Sequence, residues 1–192
     1  MRIVFILIFF VFCFSCKRND KKQYKLDLDT NFCITPSILT SSKDSLLSVD
    51  NKDIQELMIK VMDSGDIQAY RDLDLALMEF RFKFENLLYA QIMADKYNYT
   101  PANVDVYMSC IDIFSKTQDS AVLEKGFKYL KRGADLGYKP ALSKLGFAYL
   151  TGEYIERDTL KAKLYLSKYG MFPERIRKHI DTWDKYKESI KR

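Results

Sequence analysis

Apolar residues recur with the spacing of an amphipathic α-helix along most of the chain from about residue 50 onward. In the first such segment Ile54, Leu57 and Val61 share one face, and Gly65 follows at the position where glycine commonly ends a helix. Alternating polar and apolar runs of the kind that form strands are missing. The pattern predicts an all-α fold with helices near 51–63, 66–81, 84–97, 101–115, 119–136, 139–150 and 158–169.

Residues of matched size return at intervals of roughly three dozen positions, which indicates an internal repeat. The matched sets are Ala69, Ala102 and Ala141; Leu73, Val106 and Leu145; Ala76, Ser109 and Ala148; and Ala90, Gly126 and Ala162. Small residues at equivalent sites allow paired helices to approach closely. We therefore expect a short α-solenoid of stacked antiparallel helix pairs over 50–172: 66–81 with 84–97, 101–115 with 119–136, and 139–150 with 158–169.

The clearest copy of the repeat, residues 133–169, resembles a Sel1-like repeat, a relative of the tetratricopeptide repeat. The matching positions are Ala134, Gly137, Ala141, Leu145, Gly146, Tyr149, Gly152, Asp158, Lys161 and Ala162. This copy has Tyr154 where the family commonly has a second loop glycine, and Asp158 offers an N-cap for the next helix. The resemblance covers about a fifth of the chain, and the segment 65–115 is assigned to the same architecture by its periodicity.

The last segment, 173–192, is predicted to form a C-terminal capping helix, because a solenoid must seal the apolar face of its end unit. Pro173 occupies a favoured first-turn position. One apolar stripe runs along the segment, formed by Ile176, Ile180, Trp183, Tyr186 and Ile190. The alternative is that this stripe contacts a partner or a membrane, since a basic amphipathic helix would look similar.

The N-terminal segment has the pattern of a bacterial lipoprotein signal peptide over 1–15. Arg2 is followed by an unbroken apolar stretch over 3–14, which is too short to span a bilayer comfortably. Ser15 and Cys16 resemble the end of a lipobox, in which cleavage precedes a cysteine that receives the lipid. We expect lipidation of Cys16 and attachment to the membrane through that lipid; an uncleaved anchor and ordinary secretion are the alternatives.

Residues 16–49 begin with a polar stretch of mixed charge and are interpreted as a flexible tether behind the lipidated cysteine. Lys17 follows Cys16, whereas lipoproteins retained at the inner membrane are associated with Asp at this position. The expected location is therefore the cell envelope, anchored to the outer membrane.

Composition and motifs offer little catalytic chemistry. The formal net charge is +5, the chain has one histidine, His179, and no nucleotide-binding, metalloprotease or serine-hydrolase motif occurs. Acidic residues cluster at Asp72 with Asp74, and at Glu153, Glu156 and Asp158. Loop solvation and helix capping explain the second group. We therefore expect no enzyme activity, no catalytic residue, no cofactor, no metal site and no binding of nucleic acid.

Two cysteines besides Cys16 follow the signal peptide, Cys33 and Cys110. Export would place them in an oxidising compartment, where a disulfide between them could form. The alternative is that Cys110 is a small core residue and Cys33 is free.

Three phenylalanines, Phe80, Phe82 and Phe84, point in widely separated directions if they lie in a helix. At least one should then be exposed or buried between repeats, and an exposed one is a candidate contact for a protein partner.

The leading hypothesis is a non-enzymatic, lipid-anchored envelope protein that binds another protein, in a narrower form an immunity protein that neutralises one toxin. A small-ligand or carbohydrate-binding lipoprotein, using aromatics such as Tyr97, Tyr99 and Tyr107, is the first alternative. A hydrolase with a carboxylate pair is the second.

Overall fold

The computed structural model describes residues 52–79 and 85–190. Over these ranges the chain forms α-helices and no β-strand, and neighbouring helices pack against each other, which confirms the predicted all-α fold. The helices are α1 (Lys52–Ser64), α2 (Ile67–Glu79), α3 (Glu85–Asp95), α4 (Ala102–Thr117), α5 (Ser120–Asp135), α6 (Lys139–Thr151), α7 (Thr159–Tyr169) and α8 (Pro173–Ser189). None of these described helices is both long enough and apolar enough to cross a bilayer.

Each helix begins at the predicted position or one residue after it, and polar side chains cap the first turns of α5 and α7. The Asp119 carboxylate accepts a hydrogen bond of 2.9 Å from the backbone N–H of Ala121 and so caps α5. Asp158 accepts from the N–H groups of Leu160 and Lys161 at 3.0 and 2.9 Å, as expected for an N-cap of α7. These bonds satisfy donors that have no partner inside the helix.

The recurring small and aliphatic positions lie where the helices meet. The buried members of the four sets are Ala69, Ala102, Ala141, Leu73, Val106, Leu145, Ser109, Ala148, Ala90, Gly126 and Ala162, and Ala76 is half-buried. At Gly126 a side-chain Cβ would lie 2.8 Å from the Cβ of Cys110, so α5 approaches α4 more closely there than alanine would allow. The periodicity in the sequence thus reflects helix–helix packing.

Helix pairing follows the prediction in the C-terminal part and differs from it in the N-terminal part. The pairs α4–α5 and α6–α7 are extensively packed, as expected. Among the described residues, however, α2 packs mainly on α1, and α3 packs mainly on α4, while α2 and α3 contact each other sparsely. The predicted pair formed by 66–81 and 84–97 is therefore the loosest of the three.

The core consists of two apolar groups with a polar junction between them. One group extends from α1 to α5 around Leu73, Leu77 and Met93; the other extends from α4 to α8 around Leu130, Leu145 and Leu166. At the junction the Arg132 guanidinium forms an ion pair of 2.7 Å with Asp95 and donates a 2.5 Å hydrogen bond to Asn103. Tyr129 donates to the same Asp95 at 2.6 Å. These bonds connect α3, α4 and α5.

Candidate functional site

An open apolar groove runs between α6, the first helix of the last repeat, and the capping helix α8. Its volume is about 320 Å³, and its lining is almost entirely apolar. Helix α6 contributes Phe147, Leu150 and Thr151, and α8 contributes His179, Thr182, Trp183 and Tyr186. We refer to these seven residues as the α6–α8 groove.

Trp183 is held in the groove by a hydrogen bond to the end of α6. Its indole N–H donates to the backbone carbonyl of Thr151 at 3.1 Å. Thr151 is the last residue of α6, and carbonyls in the last turn of a helix lack a partner within that helix. The Tyr186 ring lies 5.2 Å from Trp183, and the Lys187 ammonium lies 5.5 Å from the ring of Trp183. The tryptophan thereby connects the capping helix to the repeat array.

His179 is an exposed residue of α8 whose ring packs edge-on against Phe147, with 5.4 Å between ring centroids. His179 is therefore a packing residue at the surface of the cap. No group of three or more His, Cys, Asp or Glu residues that could hold a metal ion occurs in the described ranges.

The predicted apolar stripe on α8 is divided between packing and exposure. Ile176 is buried, and Ile180 and Trp183 pack against the C-terminal core group. Tyr186 and Ile190, at the other end of the stripe, are more than half exposed. The first half of α8 therefore seals the end unit as expected, while Tyr186 in its second half and Ile190 directly after the helix leave their side chains accessible.

The groove continues a position that is apolar in every repeat. Ala69, Ala102 and Ala141 are equivalent positions of the repeat. Leu75, Met108 and Phe147 each lie six residues after one of these alanines and so occupy equivalent helix positions. Leu75 is 64% exposed and Met108 is 41% exposed. Phe147 is half-buried because α8 lies beside it. The equivalent surface of α2, α4 and α6 thus presents one apolar side chain per repeat, ending at the groove.

A second cluster, on α2 and α4, contains two partly buried carboxyl groups. The Tyr70 hydroxyl donates a 2.9 Å hydrogen bond to Asp105, and the Asn86 amide donates a 2.6 Å hydrogen bond to Asp74. Burial raises the pKa of Asp105, and the nearby Asp74 charge raises it further, although the Tyr70 hydrogen bond opposes both effects. Burial also raises the pKa of Asp74.

This carboxyl pair lacks the electrostatic asymmetry that an acid and a base require. Both pKa values are displaced in the same direction by the same cause, burial, whereas catalytic pairs are commonly driven apart by different surroundings. Each carboxylate also accepts a hydrogen bond from a side chain of a neighbouring helix or loop residue. The arrangement is one that connects helices, and it gives the hydrolase hypothesis no added support.

The tyrosines that were candidates for ligand binding take part in internal packing. Tyr97 donates to the backbone carbonyl of Met62 at 2.8 Å, and Tyr99 packs edge-on against Tyr70. Tyr107 is buried, with its ring 5.3 Å from Phe127.

Most of the predicted site residues lie outside the described ranges: Cys16, Cys33, Phe80, Phe82 and Phe84. Cys110 is described, and it is a fully buried core residue with no disulfide partner among the described residues. Burial raises the pKa of that thiol to about 11. The lipidation site, the disulfide with Cys33 and the phenylalanine contact surface remain predictions.

Comparison with known proteins does not assign the chain to a family. Neither the protein-family models nor the curated proteins nor the solved structures contained a match to the chain. The α6–α8 groove was not predicted from the sequence, although the apolar residue six positions after each repeat alanine was a signal that could have indicated it.

Proposed function

We propose that the chain is a non-enzymatic, lipid-anchored envelope protein that binds another protein through the α6–α8 groove and the adjoining apolar positions. The observation that carries this proposal is the groove itself, an aromatic and aliphatic channel that is open to solvent along α8. Exposed apolar surface of this kind is typical of sites where proteins meet. Aromatic residues are moreover enriched among those that contribute most to the affinity of such contacts.

The shape of the groove favours a protein over a small ligand. Small-ligand sites usually enclose most of the ligand and contain a few converging polar groups. The α6–α8 groove is shallow, and its one indole N–H is already bonded to the Thr151 carbonyl. An apolar segment of a partner could lie along it, against the exposed ring of Tyr186.

Site-specific photocrosslinking tests this proposal. A photoreactive phenylalanine analogue replaces Tyr186, which is 51% exposed beside the groove, and in a matched control it replaces Lys131, exposed on α5. Illumination of envelope preparations should produce one reproducible protein adduct from position 186 and none from position 131. Equal labelling from both positions, or no protein adduct from position 186, would contradict binding at the groove.

The lipid anchor is tested separately by replacing Cys16 with alanine. We expect the variant to leave the membrane fraction, because fatty-acyl chains on this residue would supply most of the attachment. If the variant stays in the membrane fraction as much as the chain with Cys16 does, the anchor must be dropped from the proposal, while binding at the groove is unaffected.

Two narrower questions have their own readouts. Co-expression with candidate toxins encoded nearby would support the immunity role if cells survive with the original chain and die when Tyr186 or Trp183 is replaced.

A strong thermal shift with a soluble glycan, lost when Tyr186 or Trp183 is replaced, would instead favour the carbohydrate-binding alternative.

A further inference from the structure

The outward face of α7 combines exposed leucines with lysines. Leu160, Lys163, Leu164, Ser167 and Lys168 follow the spacing of one helix face, and all five are exposed. Leu160 is 76% exposed and Leu164 is 51% exposed. The opposite face of the helix carries Ala162, Tyr165 and Leu166, which are buried against the array. The helix is thus attached to the fold through one side and leaves the leucine side in solvent.

Packing does not require leucine at these two positions. In α5, the equivalent helix of the preceding repeat, the residues 36 positions earlier are Glu124 and Lys128, and both are exposed. The same site in the same architecture therefore accepts charged side chains. Two large aliphatic side chains in solvent on α7 are a departure from the repeat that the fold does not explain.

The stretch of chain that contains these leucines has a positive net charge, although Lys161 is ion-paired with Asp158 at 3.1 Å. Helix α7 contains three lysines and no acidic residue. Over residues 159–178 there are six basic residues and one acidic residue, Glu174, which gives a net charge of +5. The basic residues of this stretch are Lys161, Lys163, Lys168, Arg175, Arg177 and Lys178.

We propose that the outward face of α7 docks on an anionic phospholipid surface, with Leu160 and Leu164 entering the interfacial region and the lysines contacting headgroup phosphates. Aliphatic side chains that enter the boundary of the bilayer, beside cations that remain at the headgroups, are the general pattern of interfacial helices. Each basic residue near an anionic surface adds to the attraction.

A lipid surface fits this face better than an acidic protein does, because the two leucines protrude from a convex helix and form no pocket. The long lysine side chains can also extend along the apolar surface while their ammonium groups stay in water. The inference does not depend on the groove. It is compatible with a lipid on Cys16, which would keep α7 close to the membrane and allow a weak contact to suffice.

The test uses the full-length chain reconstituted with two kinds of vesicle, one of phosphatidylcholine and one of equal parts phosphatidylcholine and phosphatidylglycerol. Both contain a trace of photoactivatable phospholipid, and mass spectrometry locates the lipid adducts. We expect adducts within 159–168 in the anionic vesicles and on the order of tenfold fewer in the neutral ones.

The matched variant is Leu160→Glu with Leu164→Lys, which copies the residues of α5 and should keep the helical fold. In this variant the number of lipid adducts on α7 should fall by on the order of tenfold, while the thermal unfolding temperature stays that of the original chain. Adducts on α7 that persist in this variant, or that are equal in both vesicles, would overturn the proposal. So would a change of oligomeric state in sedimentation without a change in lipid adducts, since the face would then be a contact between copies.

The same experiment separates this inference from the anchor. Adducts near Cys16 without adducts on α7 would support the anchor and overturn α7 docking. Adducts on α7 without adducts near Cys16 would support α7 docking and count against the anchor, and the absence of both would overturn both.

Discussion

The Tyr70 hydroxyl and the Asp105 carboxylate, 35 residues apart, are joined by a 2.9 Å hydrogen bond that connects α2 to α4. Burial raises the pKa of Asp105 and also raises the pKa of Tyr70. The charged form of Asp105 is therefore less favourable in the folded chain than in the unfolded chain, even though a hydrogen bond supports it.

The first prediction concerns how stability depends on pH at Asp105. Because its folded-state pKa lies above the unfolded value, the folded chain binds more protons between these two pKa values, and this residue's contribution to stability falls as pH rises through them. Asp105→Asn removes that titration and keeps an oxygen that can accept from Tyr70. In urea denaturation between pH about 4 and 7, the free energy of unfolding of Asp105→Asn should rise relative to that of the original chain as the pH increases.

Asp72→Asn is the matched control for this measurement, because it removes the same charge at an exposed site on α2. The control should not reproduce the pH-dependent gain. A difference between Asp105→Asn and the original chain that is constant over the whole pH range would show that the buried carboxyl does not titrate differently in the two states.

Features set by residues close together in the sequence were predicted well, whereas features set by residues far apart in the sequence were not. Helix starts depend on nearby groups, such as the Asp158 carboxylate and the N–H of Leu160, and were predicted within one residue. The groove depends on how α8 lies against α6, through contacts such as that between Trp183 and Thr151, 32 positions apart. Likewise, α2 packs on α1 more closely than on α3, which periodicity within one helix does not reveal.

The second prediction concerns the close approach of α5 to α4 at Gly126. In Gly126→Ala the new Cβ would lie 2.8 Å from the Cβ of Cys110, which is an overlap with no flexible side chain to relieve it. We expect a loss of about 1–3 kcal/mol in the free energy of unfolding. Alanine is intrinsically better than glycine within a helix, so a gain in stability would show that the helices separate without cost. Lys128→Ala, exposed on the same helix, should change stability by less than about 0.5 kcal/mol.

The third prediction distinguishes the two interpretations of Cys110. Its thiol is buried and its pKa is raised to about 11, so iodoacetamide should leave it unmodified in the folded chain at neutral pH. After unfolding without reductant, a free Cys110 becomes alkylated, whereas a Cys110 bonded to Cys33 stays protected until reductant is added. Mass spectrometry of the chain from envelope preparations decides between them, and Cys33→Ser should remove any such protection.

The fourth prediction concerns Tyr154, for which the resemblance to Sel1-like repeats leads us to expect a glycine. Its φ is +61°, in the left-handed region that glycine adopts without strain, and its ring packs edge-on against Phe114 at 5.8 Å. Tyr154→Gly relieves the strain and loses the ring contact, so the free energy of unfolding should change by less than about 1 kcal/mol. Tyr154→Val loses the contact and increases the strain, because a β-branched residue is especially disfavoured at positive φ, and should cost more than about 1 kcal/mol. Equal effects of the two variants in urea denaturation would show that the backbone conformation has no influence.

The fifth prediction links the cap to the groove through Trp183, the one tryptophan of the chain. Trp183→Phe keeps an aromatic ring and loses the hydrogen bond to the Thr151 carbonyl, so we expect a loss of about 1 kcal/mol in the free energy of unfolding. Tyr186→Phe, which retains the exposed ring, should have a smaller effect. Because the indole lines the groove, a partner that binds there should shift the fluorescence emission of Trp183 to shorter wavelength as water is excluded. Binding that leaves this emission unchanged would place the partner on another surface.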